Sequence, residues 1–176
     1  MTQNKYISKK IHVGAYPFIN NTYFPEKDGE LVKYDIIINM SSEWYPEIDF
    51  KIREVCNNVY WFPMNESKSD VGLNSIYGAM IVLYNAYKNN QKVYLHCHAG
   101  INRSQATKDA FWFMMMGKHR ETNTNGFMNR LVRMSGLGYL PCKTNVEEFL
   151  KELKMMLDNN ELKADSLDIL KINNLK

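Results

Sequence analysis

Apolar and polar positions alternate in blocks along the chain. Residues 11–15 are a short, mostly apolar run closed by Pro17 and predict a strand. Residues 34–40, centred on Ile36, Ile37 and Ile38, form a continuous apolar run of the kind buried on both faces of a parallel sheet. Residues 59–62 predict a third strand, stopped by Pro63, and residues 93–96 a fourth. Between them, residues 20–30 are polar and carry Pro25 and Asp28-Gly29, which reads as a loop. Residues 41–49, with Trp44 and Pro46, also read as a loop, followed by a short helix over 52–56. Residues 64–72 are polar and predict an exposed loop.

The other apolar positions recur at helical spacing. Ile76, Ala79, Met80, Leu83 and Tyr87 mark a helix over 73–88, and Phe111, Met114 and Met115 one over 103–116. A further helix is predicted over 127–134, before Leu140-Pro141 breaks the pattern. Thr144 and Glu147 have the spacing of a capping box, and Val146, Phe149, Leu150, Leu153 and Leu157 carry that last helix onward. From residue 161 the pattern is weak, as in a short helix or a frayed end.

Strands alternating with helices predict an α/β fold: a central, mostly parallel sheet of four to five strands flanked by helices. At 176 residues the chain fits a single catalytic domain, with a core over about 8–155 and a tail over about 160–176. In open sheets of this kind ligands bind beyond the carboxyl ends of the strands. The loop between the strand ending at His96 and the helix beginning near Arg103 lies at such an end.

Composition narrows the function. The net charge of +3 is too small to argue for nucleic-acid or membrane binding and mildly favours an anionic substrate. No apolar run has the length of a membrane span, and the first residues do not read as a secretory signal. Cys56, Cys97 and Cys142 are far apart and odd in number, with neither a metal-type pair nor a disulfide framework. A reducing, cytoplasmic setting is expected, which keeps a reactive thiol usable. Cys56 and Cys142 are the candidates for a disulfide with Cys97 under oxidation.

The candidate chemistry lies in His96-Cys97-His98-Ala99-Gly100-Ile101-Asn102-Arg103-Ser104. A short loop containing glycine, set between a strand and a helix, can turn successive backbone N–H groups toward one anion. The helix start adds its positive end, and Arg103 adds a planar fork of donors suited to two phosphate oxygens. So positive a site should favour the thiolate of Cys97, poised for in-line attack on phosphorus. Ser104 could donate to the Cys97 sulfur and help it leave in a second step. His96 is expected to support the loop by hydrogen bonding. His98, Ala99, Ile101 and Asn102 form its outer surface. Alone, Cys97 would read as a core cysteine and Arg103 as a surface charge. His96 and His98 could be metal ligands, but neighbours on a strand point to opposite faces. The combination favours a phosphate cradle, with no metal or other cofactor.

This loop resembles the signature of the cysteine-dependent protein tyrosine phosphatases, in their dual-specificity branch. The resemblance extends to residues 93–97 as the apolar strand entering the loop, and to residues 34–40, with Asn39 in place. It also takes in residues 11–14, a first strand ending in Gly14, and, loosely, Tyr139-Leu140-Pro141 with residues 145–150. It implies hydrolysis of phosphate monoesters through a phosphocysteine intermediate. The length suits the small dual-specificity architecture.

The resemblance also implies a general acid, usually Asp, on the loop after the preceding strand. That register falls on Glu66, in Phe62-Pro63-Met64-Asn65-Glu66; Asp70 lies four residues on with the expected side chain. Glu is chemically competent, and both remain candidates. The leading expectation is a phosphatase acting on phosphotyrosine, and on phosphoserine or phosphothreonine, in proteins. The alternatives are an RNA 5′-triphosphatase or phosphoinositide phosphatase of the same superfamily, and a pseudophosphatase that binds phosphate without turnover. Asn102 before Arg103 is shared with RNA 5′-triphosphatases, but Ser104-Gln105 departs from their pattern. Lys108, Lys118, His119, Arg120, Arg130 and Arg133 are spread along predicted helices and read as solvated faces, not as a track for RNA.

Overall fold

The structure is a computed structural model that describes residues 1–19, 24–64, 73–120 and 143–162. The elements in chain order are α1 (Gln3–Lys10), β1 (Ile11–Gly14), β2 (Glu26–Lys27), β3 (Glu30–Leu31) and β4 (Ile36–Ser41). They continue as α2 (Pro46–Val55), β5 (Val59–Met64), α3 (Leu73–Lys88), β6 (Val93–His96), α4 (Arg103–Met116) and α5 (Lys143–Asp158). The expected helix over 127–134, the Tyr139-Leu140-Pro141 stretch, Cys142, Glu66 and Asp70 lie outside the described residues.

Four strands form one sheet in the order β1-β6-β4-β5, and every pairing in it is parallel. The mostly parallel sheet read from the sequence is therefore present, at the lower end of the expected strand number. The loop expected over 20–30 contains a small antiparallel pair, β2 with β3, turning at Asp28-Gly29.

The three isoleucines explain why β4 sits inside the sheet. Ile36, Ile38 and Met40 face the core under α1, α3, α4 and α5, while Ile37 faces a second cluster with Tyr16, Phe24, Tyr34, Ile52, Val59 and Tyr94. Both faces are covered, so Ile36 to Ile38 show no alternation, and the polar Asn39 and Ser41 enter only toward the carboxyl end, where they are also buried. Burying each isoleucine side chain contributes about 1.5–3 kcal/mol.

Two helices differ from expectation. α2 begins at Pro46, where a loop was expected: proline needs no N–H at the first helical position, and its fixed φ suits a helix start. α1 was not anticipated. It has only two buried residues, Tyr6 and Ile7, too few to make a periodic pattern in eight residues. Its anchor is long-range, the Tyr6 hydroxyl donating to the Gln91 carbonyl at 2.7 Å. α5 begins at Lys143, and the side chain of Thr144, the expected cap, is among those not described.

The register sets the site. Gly14 of β1 and Asn39 of β4 both pair with His96 of β6, so all three stand side by side at the carboxyl end of the sheet. The next residue after His96 is Cys97. β6 fills the gap that the chain leaves between β1 and β4, placing Cys97 between the segments that follow those two strands.

Candidate active site

Cys97 emerges from the centre of the sheet and is buried, 1% exposed. Two groups converge on its sulfur: the Gly100 N–H donates to Sγ at 3.2 Å, and Ser104 Oγ lies 3.2 Å from Sγ. The loop therefore curls back over the cysteine. Gly100 permits this curl. Its φ is +73°, and a Cβ there would stand 2.5 Å from the Gly14 carbonyl carbon and 2.7 Å from Ala15 N. Only a residue without a side chain fits so close to the segment after β1. The same segment is tied to the loop by Tyr16 N–H, which donates to the His98 carbonyl at 3.0 Å.

α4 starts directly behind the loop. Asn102 is its N-cap residue, and its side chain makes no capping hydrogen bond, so it does not occupy the first N–H groups of the helix. Arg103 is the first helical residue and is buried. One of its terminal nitrogens, Nη1, donates to the Met64 carbonyl at 3.0 Å and to Glu43 Oε2 at 3.2 Å. The guanidinium is thus held from β5 and from the segment after β4. Ser104 and Thr107 are fully buried beside it, and the Thr107 hydroxyl donates to the Arg103 carbonyl at 2.8 Å. On the outer side, His98 and Asn102 are half-buried, Ala99 is exposed and Ile101 is 62% exposed.

His96 is completely buried, and its Nδ1 lies 3.2 Å from the Cys97 carbonyl. Burial, reinforced by the positive charge of Arg103 and only partly opposed by that hydrogen bond, brings its pKa down to about 4. At neutral pH it is an uncharged ring bonded to the loop backbone. Its ring also meets the edge of Tyr16, centroid to centroid 4.7 Å.

Glu43 was not anticipated as part of the site. Burial raises its pKa, but its own backbone N–H, Arg103 and Ser42 together outweigh burial and leave the carboxyl below its ordinary range. It is therefore an ion-pair partner for Arg103, unsuited to protonate a leaving group at neutral pH. The sequence held one usable signal: Glu43 lies two residues beyond β4, at the same end of the parallel sheet as the cysteine loop.

Cys56 is at the other end. It caps the carboxyl end of α2 just before β5 begins, whereas Cys97 follows the carboxyl end of β6. The two cysteines therefore stand at opposite ends of the sheet. Among the described residues no group of three or more His, Cys, Asp or Glu side chains is placed to hold a metal ion. Nor is any helix there long and apolar enough to cross a membrane.

No protein-family model matches the sequence, and no curated protein matches it significantly. Solved structures do. The core catalytic domain of the PP-IP phosphatase SIW14 from S. cerevisiae superimposes with a TM-score of 0.52 over 86% of this chain and 88% of that one, at 18% identity. DUSP15 superimposes with a TM-score of 0.53 over 85% of this chain and 91% of that one, at 17% identity. The chain has the dual-specificity phosphatase fold. In this fold the Cys97 loop stands at the carboxyl end of β6, one of the two interior strands.

Proposed function

We propose that this chain is a cysteine-dependent phosphatase of dual-specificity type, hydrolysing phosphate monoesters on phosphorylated proteins. The observation that carries the proposal is the convergence of the Gly100 N–H and the Ser104 hydroxyl on Cys97 Sγ, with Arg103 buried at the end of the same loop. Both groups hold the sulfur in place as nucleophile and, later, as leaving group. Backbone N–H groups of residues 98–102, the start of α4 and Arg103 then supply positive charge for the phosphoryl oxygens.

The chemistry follows in two displacements. Sγ attacks phosphorus; an S–P bond forms as the P–O bond to the leaving group breaks. The leaving oxygen takes a proton from a carboxylic acid, for which Glu66 and Asp70 are the candidates. Water, giving a proton back to that carboxylate, then attacks phosphorus. The S–P bond breaks, and the Ser104 hydroxyl stabilises the departing thiolate. No metal is needed for either step. A reducing compartment such as the cytoplasm would keep Cys97 in its active thiol form.

The site's charge supports a protein substrate over a multiply phosphorylated one. Arg103 is the sole Lys or Arg within residues 96–104. It faces Glu43, and the exposed shoulder of the loop is Ile101. A phosphoinositide or a 5′-triphosphate brings several negative charges and would meet a carboxylate and an alkyl side chain there.

The test is hydrolysis of p-nitrophenyl phosphate by the wild-type chain and by Cys97→Ser, followed by a panel of phosphotyrosine and phosphothreonine peptides, a phosphoinositide and triphosphate-ended RNA. Turnover lost in Cys97→Ser, with peptides preferred, is the expected result. Phosphopeptide binding without turnover would identify a phosphate-binding module instead, and preference for RNA or phosphoinositide would overturn the substrate.

A further inference from the structure

Tyr16 joins the cysteine loop to the segment that follows β4. Its backbone N–H donates to the His98 carbonyl at 3.0 Å, its ring meets the His96 ring at 4.7 Å, and it meets the Tyr45 ring edge-on at 5.2 Å. Its hydroxyl oxygen accepts from Asn39 Nδ2 at 3.4 Å and from the Tyr45 backbone N–H at 3.3 Å. The side chain is 1% exposed. A phenol so buried needs a reason: packing alone would be met by phenylalanine, at no desolvation cost for a hydroxyl.

The reason lies in what the hydroxyl's two donors border. Asn39 and Tyr45 flank the segment that carries Glu43. Asn39 Nδ2 also reaches the Glu43 carbonyl at 3.5 Å, and the Ser41 hydroxyl donates toward the same carbonyl at 2.8 Å. Asn39 Oδ1 in turn accepts from Ser41 N–H at 2.8 Å. Residues 39–45 are thereby pinned at both ends and at the middle, and the phenol oxygen binds both ends. Glu43, at the middle, holds Arg103 Nη1.

We infer that Tyr16 is a positioning residue for Arg103: its hydroxyl fixes the 39–45 segment against the cysteine loop, and Glu43 passes that placement to the guanidinium. It touches neither substrate nor sulfur. The role rests on the proposed phosphate site and adds to it the element that sets the Arg103 guanidinium.

Tyr16→Phe removes the hydroxyl and keeps the ring contacts. Inorganic phosphate binding, read by calorimetry, should weaken about two- to ten-fold, the effect of one modest hydrogen-bonding group. KM for p-nitrophenyl phosphate should rise by a similar factor, with kcat changed less. The deciding readout is a double-mutant cycle with Glu43→Ala, whose side chain is 41% exposed and leaves no cavity when truncated. If Tyr16 acts through Glu43, adding Tyr16→Phe to Glu43→Ala changes phosphate binding no further.

Wild-type phosphate affinity in Tyr16→Phe, or a loss that persists in full on the Glu43→Ala background, would overturn the inference. So would a Tyr16→Phe chain that no longer folds, because the hydroxyl would then serve stability. The cycle reads binding, so a wild-type chain that binds phosphate but hydrolyses nothing would refute the catalytic proposal and still decide the role of Tyr16. A wild-type chain that binds no phosphate would refute both.

Discussion

Arg103 and Glu43, 60 residues apart in sequence, meet at 3.2 Å and join the cysteine loop to the segment that leaves the neighbouring strand β4. The second acceptor of the same nitrogen, the Met64 carbonyl, ties it to β5 as well. An arginine held by a carboxylate and a carbonyl keeps its remaining N–H groups in a fixed plane, the property that makes bidentate phosphate binding selective for arginine over lysine. Arg103→Lys should therefore lower kcat/KM for an aryl phosphate by about 10²–10³-fold. Glu43→Ala, which removes one acceptor and leaves the Met64 carbonyl, should cost about two- to ten-fold, mostly in KM. Steady-state kinetics on the two variants checks both. Equal losses would mean that Glu43 contributes more than orientation.

Gly100→Ala is expected to damage the fold of the loop as well as its chemistry. The positive φ alone costs a non-glycine residue about 1–3 kcal/mol, and the new Cβ would press on the backbone of Gly14 and Ala15. The thermal midpoint should fall and turnover should be lost together. Unchanged melting with unchanged turnover would show that the loop does not curl as described.

Ser104 stands 3.2 Å from Cys97 Sγ, where it matters most when sulfur is the leaving group. In Ser104→Ala the second displacement should become rate-limiting. Pre-steady-state mixing with p-nitrophenyl phosphate should give a burst of p-nitrophenol followed by a steady rate reduced about 10²-fold. A slower rate with no burst would place Ser104 in the first displacement.

Stability should depend on pH through His96. Its ordinary pKa of 6.5 falls to about 4 in the folded chain. Between those values the unfolded chain binds a proton that the folded chain refuses, so stability drops as pH falls from 6.5 toward 4 and is level in this respect above 6.5. His96 alone accounts for up to about 3 kcal/mol across that window. The His12 pKa is also lowered, by burial first, and adds in the same direction. Urea titrations at several pH values on wild type and His96→Asn isolate the His96 share. Identical pH slopes in the two chains would contradict the assignment.

The sheet and the cysteine loop were legible in the sequence because each is written in consecutive residues. Ile36-Ile37-Ile38 could belong only to a buried segment, and Cys97 to Ser104 hold their chemistry within eight positions. What the sequence concealed is what folding assembles from afar. Tyr16 and Glu43 reach the site from loops after β1 and β4, and neither carries a local pattern that marks it. α1 is held by two side chains and one distant carbonyl, and α2 began where a proline suggested a loop. In α1 tertiary contacts outweigh local propensity, whereas Pro46 at the start of α2 is a local signal that favours a helix start.

The central claim is that Cys97 carries the phosphoryl group between the two displacements. The direct measurement is acid quenching of Ser104→Ala within the burst on p-nitrophenyl phosphate, followed by intact-mass and peptide analysis. The account predicts one added phosphoryl group, on the peptide containing Cys97, and none in Cys97→Ser. Turnover with no phosphoryl-enzyme during the burst, or a phosphoryl group on any other residue, would contradict it.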